Sequence, residues 1–267
     1  MSFPNIVFGD FGDEKIAQST KIGGLPLGYL LVLPDQSEFH HARAPSGTAL
    51  TAGYLYQGPA VPSDTMLVKD IVPNGTIAVG ATSVAGTSGG TSAITTDQYM
   101  DGYLIVPSST SDAGAGRKYR IKGNNSAASG STTVTIDLDP ADPIETALPG
   151  GTTTFGLREN PYNRTILTSA DTAQVAPLAG IPPIAVSADF FYWSQSKGPA
   201  VAFVAGTVLT VGEPIVASTA VAGAVAAFPT AAADTTGVRY PKQVKTIGET
   251  LTLGNANGFA LVNLHIR

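Results

Sequence analysis

The chain has 267 residues, 43% hydrophobic and 13% charged, with a formal net charge of −5. That is enough apolar material for a buried core but only about half the usual charge. The negative balance offers no basic face to neutralise phosphates, so nucleic acid is not an expected partner. Cysteine is absent, which removes disulfides, thiolate metal sites and cysteine catalysis together. No apolar run reaches the roughly 18 residues of a bilayer span. No charged, apolar and small-residue series opens the chain in the manner of a secretory signal. The expectation is a protein made in a cytoplasm, without a membrane partner.

Proline and glycine punctuate the whole chain, and no 3.6-residue apolar stripe persists for three turns; this is the rhythm of strands and turns. Residues 1–24 read as a flexible N-terminal arm. Phe3, Ile6, Val7, Phe8 and Phe11 are apolar but interrupted by Pro4, Gly9 and Gly12, so the segment cannot bury them alone. Two readings are open: the arm folds back on its parent core, or it docks on another subunit. Residues 27–33, 39–44 and 49–56 read as strands, with turns at Pro34-Asp35 and Ser46-Gly47. Asn74-Gly75 signals a hairpin between residues 68–72 and 76–79.

Residues 99–106 read as a strand, and residues 117–122 and 132–138 as a hairpin. In that hairpin Lys118, Arg120 and Lys122 share one face, Tyr119 and Ile121 the other. Val134, Ile136 and Leu138 point inward with the second set. Pro140, Pro143, Pro149 and Gly150-Gly151 form an irregular link. Residues 152–157 and 162–168 close the first half, and residues 178–183 read as a linker. The Ala-rich stretch 217–233, broken by Gly223 and Pro229, reads as loop and short strand. The last strand, 259–266, has a wholly apolar face in Ala260, Val262, Leu264 and Ile266. The expected fold is all-β, an antiparallel barrel or sandwich with two strand-rich halves, at 25–168 and 169–267, behind the arm.

One phrase occurs twice. Tyr54-Leu55-Tyr56-Gln57-Gly58-Pro59-Ala60-Val61, Gly75-Thr76-Ile77-Ala78-Val79-Gly80 and Ser83-Val84-Ala85-Gly86 come first. Phe191-Tyr192-Trp193, Gln195, Gly198-Pro199-Ala200-Val201, then Gly206-Thr207-Val208-Leu209-Thr210-Val211-Gly212 and Ala220-Val221-Ala222-Gly223 follow in the same order. The spacings differ between the copies. The repeated residues are aromatic, β-branched and glycine, the stuff of strands and turns. A repeated scaffold without a repeated reactive group points to a building part.

The search for chemistry is short. His40 and His41 are adjacent, so on a strand they point to opposite faces and cannot share a metal; His40 with Glu38 is a two-ligand start that needs more ligands. No Gly-x-Ser-x-Gly elbow or phosphate loop occurs. Gly114-Ala115-Gly116 before Arg117-Lys118 sets glycine beside base, without a following helix. Asp10, Asp13 and Glu14, and likewise Asp137, Asp139 and Asp142, read as solvated loop charge rather than a calcium loop. No catalytic residue, cofactor or metal is assigned. The basic face of Lys118, Arg120 and Lys122 lies either against Asp137 and the threonines of its hairpin partner or against an acidic partner surface.

Leu25-Pro26-Leu27-Gly28, Leu33-Pro34-Asp35, Phe39, Ala42-Arg43-Ala44, Gly47-Thr48-Ala49-Leu50 and Ala52-Gly53-Tyr54-Leu55-Tyr56-Gln57 together resemble structural proteins of tailed bacteriophage heads. So does Tyr99-Met100-Asp101-Gly102-Tyr103-Leu104, followed by Gly116, Tyr119-Arg120-Ile121 and Asn124. The second copy of the phrase, ending in Ile247-Gly248 and residues 261–266, resembles capsid decoration or cement proteins of the small-β-barrel kind. The resemblance implies a homotrimer on the exterior of the virion that bridges major capsid protein subunits. Its contact residues are then expected among the arm's Phe3, Ile6, Phe8 and Phe11 and the strand's Lys118, Arg120 and Lys122. Two rivals stand beside it: another virion part, such as a head fibre or a tail or baseplate component, and a carbohydrate-binding module stacking sugars on Tyr54, Tyr56, Tyr192 and Trp193.

Overall fold

The computed structural model describes residues 6–60, 70–88, 90–107, 113–130, 132–170, 176–206, 208–228 and 245–266. Strand makes up 41% and helix 3%, with no helix of seven residues or more among the described residues. The protein is all-β, as expected, and none of its described helices is long and apolar enough to cross a membrane. The chain falls into two compact units. The first joins Met1–Pro59 to Arg164–Arg267, and the second is Ala60–Asn163.

In chain order, the first unit opens with β1 (Ile6–Phe8), β2 (Ala17–Gln18), β3 (Leu30–Val32), β4 (Glu38–Arg43) and β5 (Tyr56–Gln57). The second unit holds β6 (Val72–Pro73), β7 (Ser83–Ser88), β8 (Tyr103–Ile105), β9 (Lys118–Asn124), β10 (Thr132–Leu138) and β11 (Gly156–Arg158). The first unit then resumes with β12 (Ile166–Leu167), β13 (Leu178–Gly180), β14 (Phe191–Phe203), β15 (Pro214–Ala217), β16 (Val225–Ala227), β17 (Gly248–Thr250) and β18 (Phe259–His265).

The division differs from the sequence boundary at 168/169, and β14 is the reason. This 13-residue strand pairs with β4 along its first half and with β18 along its second. Residues far apart in the chain are thereby woven into one sheet, in the order β1-β3-β4-β14-β18-β17-β15-β16. The sequence of β14 matches its two environments. Phe191 to Ser196 are buried on both faces, whereas from Lys197 onward burial alternates with exposure. A bulge between Gln195 and Lys197 marks the change. Beyond it, Val204 bridges to Val225 of β16 and curls the sheet into a small barrel. Ala200, Ala202, Val204, Ile215, Val225, Val262 and Leu264 fill its interior.

The second unit is one six-stranded antiparallel sheet, β11-β8-β9-β10-β7-β6. Ile71 and Phe155, just outside its edge strands, exchange backbone hydrogen bonds of 3.0 and 2.9 Å and bring the two edges together. Val84, Leu104, Tyr119, Ile121, Val134, Ile136, Leu138 and Phe155 share its core. The expected β9–β10 hairpin is present, with Tyr119 and Ile121 inward and Lys118 and Lys122 exposed. The expected Asn74-Gly75 hairpin is not: β6 pairs with β7, and Ile77 bridges to Leu148. The Asn74 side chain instead accepts from the Thr87 hydroxyl and donates to that of Thr133. Residues 68 and 69 of that expected hairpin lie outside the described residues.

Residues 6–24, expected as an arm, are paired into the first unit. β1 runs parallel to β3, and β2 pairs with β14. Val7, Ile22 and Leu25 pack against the buried cluster of Leu31, Leu33, Phe39 and Trp193. Of the two readings, this segment takes the one that folds back on its own core. The apolar alternation explains how: Val7 turns inward while Ile6 and Phe8 stay exposed.

Among the described residues, the repeated phrase is structural over one stretch only. Ala78–Ala81 and Thr210–Glu213 both close turns with an i+3 N–H donating to the first carbonyl, at 3.2 and 3.1 Å. Gly80 and Gly212 have φ of 84° and 79° at the third position, where a type II turn needs a positive φ. Both turns hold an exposed valine at the tip, Val79 and Val211. Elsewhere the copies diverge: β5 is a two-residue strand, and its counterpart is the long β14. The first copy is split between the two units. Shared turn chemistry accounts for this echo better than duplication does.

Candidate functional site

Cross-strand register places one row of side chains on the outward face of the large sheet. Phe8 pairs with Val32, Val32 with Glu38, Glu38 with Lys197, and Lys197 with His265. Directly opposed residues project to the same side, so the row spans five strands, about 19 Å at the usual spacing. Lys197 Nζ donates to Glu38 Oε1 at 2.5 Å. Two rows along β14 and β18 the face turns apolar: Val201 opposes Leu261, and Phe203 opposes Phe259. Phe8 is 77% exposed, Val201 54% and Phe259 50%.

The apolar end is built from rings. Tyr54 stacks on Phe203 with centroids 4.6 Å apart, and Phe259 meets Phe203 edge-on at 5.5 Å. Gly53 makes this possible, since a Cβ there would stand 2.7 Å from Phe259 Cε1. Beside the rings runs a groove of about 500 Å³, lined by Gly53, Pro182, Pro183, Val201, Phe259 and Leu261 among others. Ala200 and Ala202 pair with Val262 and Ala260 of β18 in the barrel wall. Phe203 N–H donates to Gly53 O at 2.8 Å, away from β18, and by the antiparallel alternation Val201 turns its N–H and C=O to that same side.

Of the expected contact residues, Ile6, Phe8 and Phe11 are exposed, Phe11 at 68%. Phe3 lies outside the described residues. Lys118, Arg120 and Lys122 share a face as expected, but in the second unit. Lys118 Nζ lies over the Tyr103 ring at 5.1 Å. Arg120 pairs with Asp101 at 3.6 Å, from the turn before β8 rather than from the hairpin partner. Lys122 borders a polar pocket with Asp97 and Asp137. Carboxylates are interleaved along this face, so it is a mixed surface rather than a positive one. The sequence reading of residues 259–266 marked only the inward apolar face of Ala260, Val262, Leu264 and Ile266, not the outward one of Phe259 and Leu261. What the sequence lacked was the pairing with β14, which doubles the apolar row.

The other candidate groups hold the fold. His41 is buried and His40 half-buried, on opposite faces as adjacency requires. Among the described residues, no three His, Asp or Glu side chains gather in a way that could hold a metal ion. Asp13 and Glu14 accept from the backbone of Asp10 and Gly12. Asp137 accepts from the Ser83 hydroxyl, Asp139 from Ala141 N–H and Asp142 from Arg120 N–H. Arg117, beside the Gly114-Ala115-Gly116 turn, pairs with Glu145. Tyr56, Tyr192 and Trp193 are buried; of the four aromatics considered for sugar stacking, only Tyr54 reaches the surface. Searches of family models, curated proteins and solved structures return no match to this chain.

Proposed function

We propose that this chain is a structural virion protein that binds the outer surface of an icosahedral phage capsid as a homotrimer. It bridges major capsid protein subunits, and its surface, not a reaction, is its product. The observation that carries this reading is the outward face of the large sheet. A rigid, hydrogen-bonded sheet displays Val201, Phe203, Leu261 and Phe259 beside an apolar groove, with Phe8 at the far edge. Exposed apolar patches rimmed by polar residues mark protein contacts, and the Glu38–Lys197 pair, Asn263 and His265 supply such a rim. A specific interface of standard size buries about 800 Å² on each partner. Three modest contacts in one trimer raise avidity by orders of magnitude. The protein is then made in the host cytoplasm and ends on the virion exterior.

Co-sedimentation with purified capsids, read beside the oligomeric mass in solution, tests this. The double variant Val201→Asp/Leu261→Asp places two charges in the centre of the face without touching the core. Loss of a central apolar anchor costs about 2 kcal/mol, so affinity is expected to fall by roughly 30-fold while circular dichroism stays unchanged. Capsid occupancy equal to wild type would exclude this face. Wild-type protein that ignores capsids yet binds a glycan array saturably would overturn the whole reading.

A further inference from the structure

One stretch of β14 is bonded along one side only. Leu261 N–H donates to the Thr252 hydroxyl at 3.0 Å, and Leu261 O accepts from Leu251 and Thr252 N–H at 2.9 and 3.2 Å. Both Leu261 groups thus face the segment after β17. Val201, opposite Leu261, turns its own N–H and C=O to the far side of β14. Neither group meets a partner among the described residues. The two ends of the stretch are closed. Phe203 N–H is taken by Gly53 O, while Pro199 has no N–H and its carbonyl accepts from Gln195 Nε2, both at 2.8 Å. The facing wall of the groove offers Val201 no donor, because Pro182 and Pro183 lack N–H. The Pro182 carbonyl is itself taken by Gly53 N–H at 3.0 Å.

We propose that this groove is a strand-addition slot: it takes a short, extended, uncharged peptide segment of a partner protein, which pairs its backbone with Val201. A free N–H and C=O on one strand residue are the two groups that a single residue of an extended peptide satisfies together. The open length, from Pro199 to Phe203, is about 13 Å at the usual rise, room for about three partner residues. Charge is matched as well. None of the lining residues is charged, so a charged partner side chain would lose its water without gaining a counter-ion. The partner residue opposite Val201 projects to the outward face, where the Phe259 ring reaches the slot at Gly53. Its two neighbours turn to the face of Ala200, which is buried, so they must be small. The slot therefore selects a small, β-branched, small run of uncharged residues.

The probe is the capped peptide acetyl-Ser-Ala-Val-Ala-Ser-amide, titrated into the isotope-labelled full-length protein and followed by amide NMR. It should shift the Val201 amide saturably. The same peptide N-methylated at its valine lacks the donor for the Val201 carbonyl and should bind about tenfold more weakly. Val201→Pro removes the other bond while leaving the ladder to β18 whole, as Pro199 already does on the same side of the strand. That variant, read at the Gly53 and Phe203 amides, should also lose about tenfold. Should it not fold, the two peptides on the wild type decide. Equal binding of both peptides, or no saturable shift at Val201, overturns the proposal. So does a saturable shift there by N-acetylglucosamine and not by the peptide, which assigns the groove to a sugar amide. A Val201 shift on concentrating the protein alone, with a rise in mass, overturns it in favour of a second copy. The proposal rests on the outward face being a contact surface, yet the two readings fail separately. Peptide binding without capsid binding keeps the slot and removes the capsid; capsid binding without peptide binding does the reverse.

Discussion

At the scale of single residues, Gly53 shows how a backbone position shapes the docking face. Its φ is 77°, and a methyl group there would stand 2.7 Å from Phe259 Cε1 and 3.4 Å from the Val201 carbonyl oxygen. Two costs are therefore separable. A side chain at positive φ costs about 1 kcal/mol, and displacing the Phe259 ring from its contact with Phe203 and Tyr54 costs about another 1 kcal/mol. Gly53→Ala is expected to destabilise by about 2 kcal/mol in wild type and by about 1 kcal/mol in a Phe259→Ala background. Chemical denaturation of the four proteins of that cycle checks it; strict additivity would mean the ring contact contributes nothing.

At the scale of elements, β9 separates charge that is held from charge that is merely displayed. Asp101 keeps only 8% of its side chain exposed, and Arg120 pairs with it at 3.6 Å. Removing that guanidinium takes a charged contact from a nearly buried carboxylate, so Arg120→Ala should cost about 1 kcal/mol or more. Lys118→Ala and Lys122→Ala, at exposed positions, should each stay within about 0.5 kcal/mol. Equal thermal shifts for all three would refute this assignment. The alternation of β9, β10 and β18 was legible because one face of each is buried, and a period of two is then forced on the sequence. The partner of Arg120 was not legible, since Asp101 reaches it from another strand's turn. Nor was the pairing of Phe8 with Val32, because a three-residue parallel strand leaves no periodic signal. The same holds for the groove, whose prolines and Gly53 lie apart in sequence and meet only beside β14.

At the scale of the whole molecule, the second unit is an insert in the first. β5 and β12 flank it in sequence and pair with each other, Gln57 opposite Ile166 and Tyr56 opposite Leu167. Antiparallel partners lie about 5 Å apart, so the chain leaves and rejoins the first unit at nearly one point. The sequence did not announce this: Gly58-Pro59 falls within the repeated phrase, and Asn163-Arg164 within residues 162–168, which read as closing the first half. Residues 60–163 expressed alone are expected to fold, having one continuous chain and their own core. The first unit, with the insert replaced by a short Gly/Ser linker, is expected to keep its β spectrum and a cooperative melt. Two unfolded halves would show that the units depend on each other. The β5–β12 pairing also imposes an order in time. Closing a loop on the order of 100 residues costs about 4 kcal/mol of chain entropy. An insert that folds early holds its own ends together and removes most of that cost before Gln57 meets Ile166. Refolding then runs from the inside outward, and whatever delays the insert delays its host.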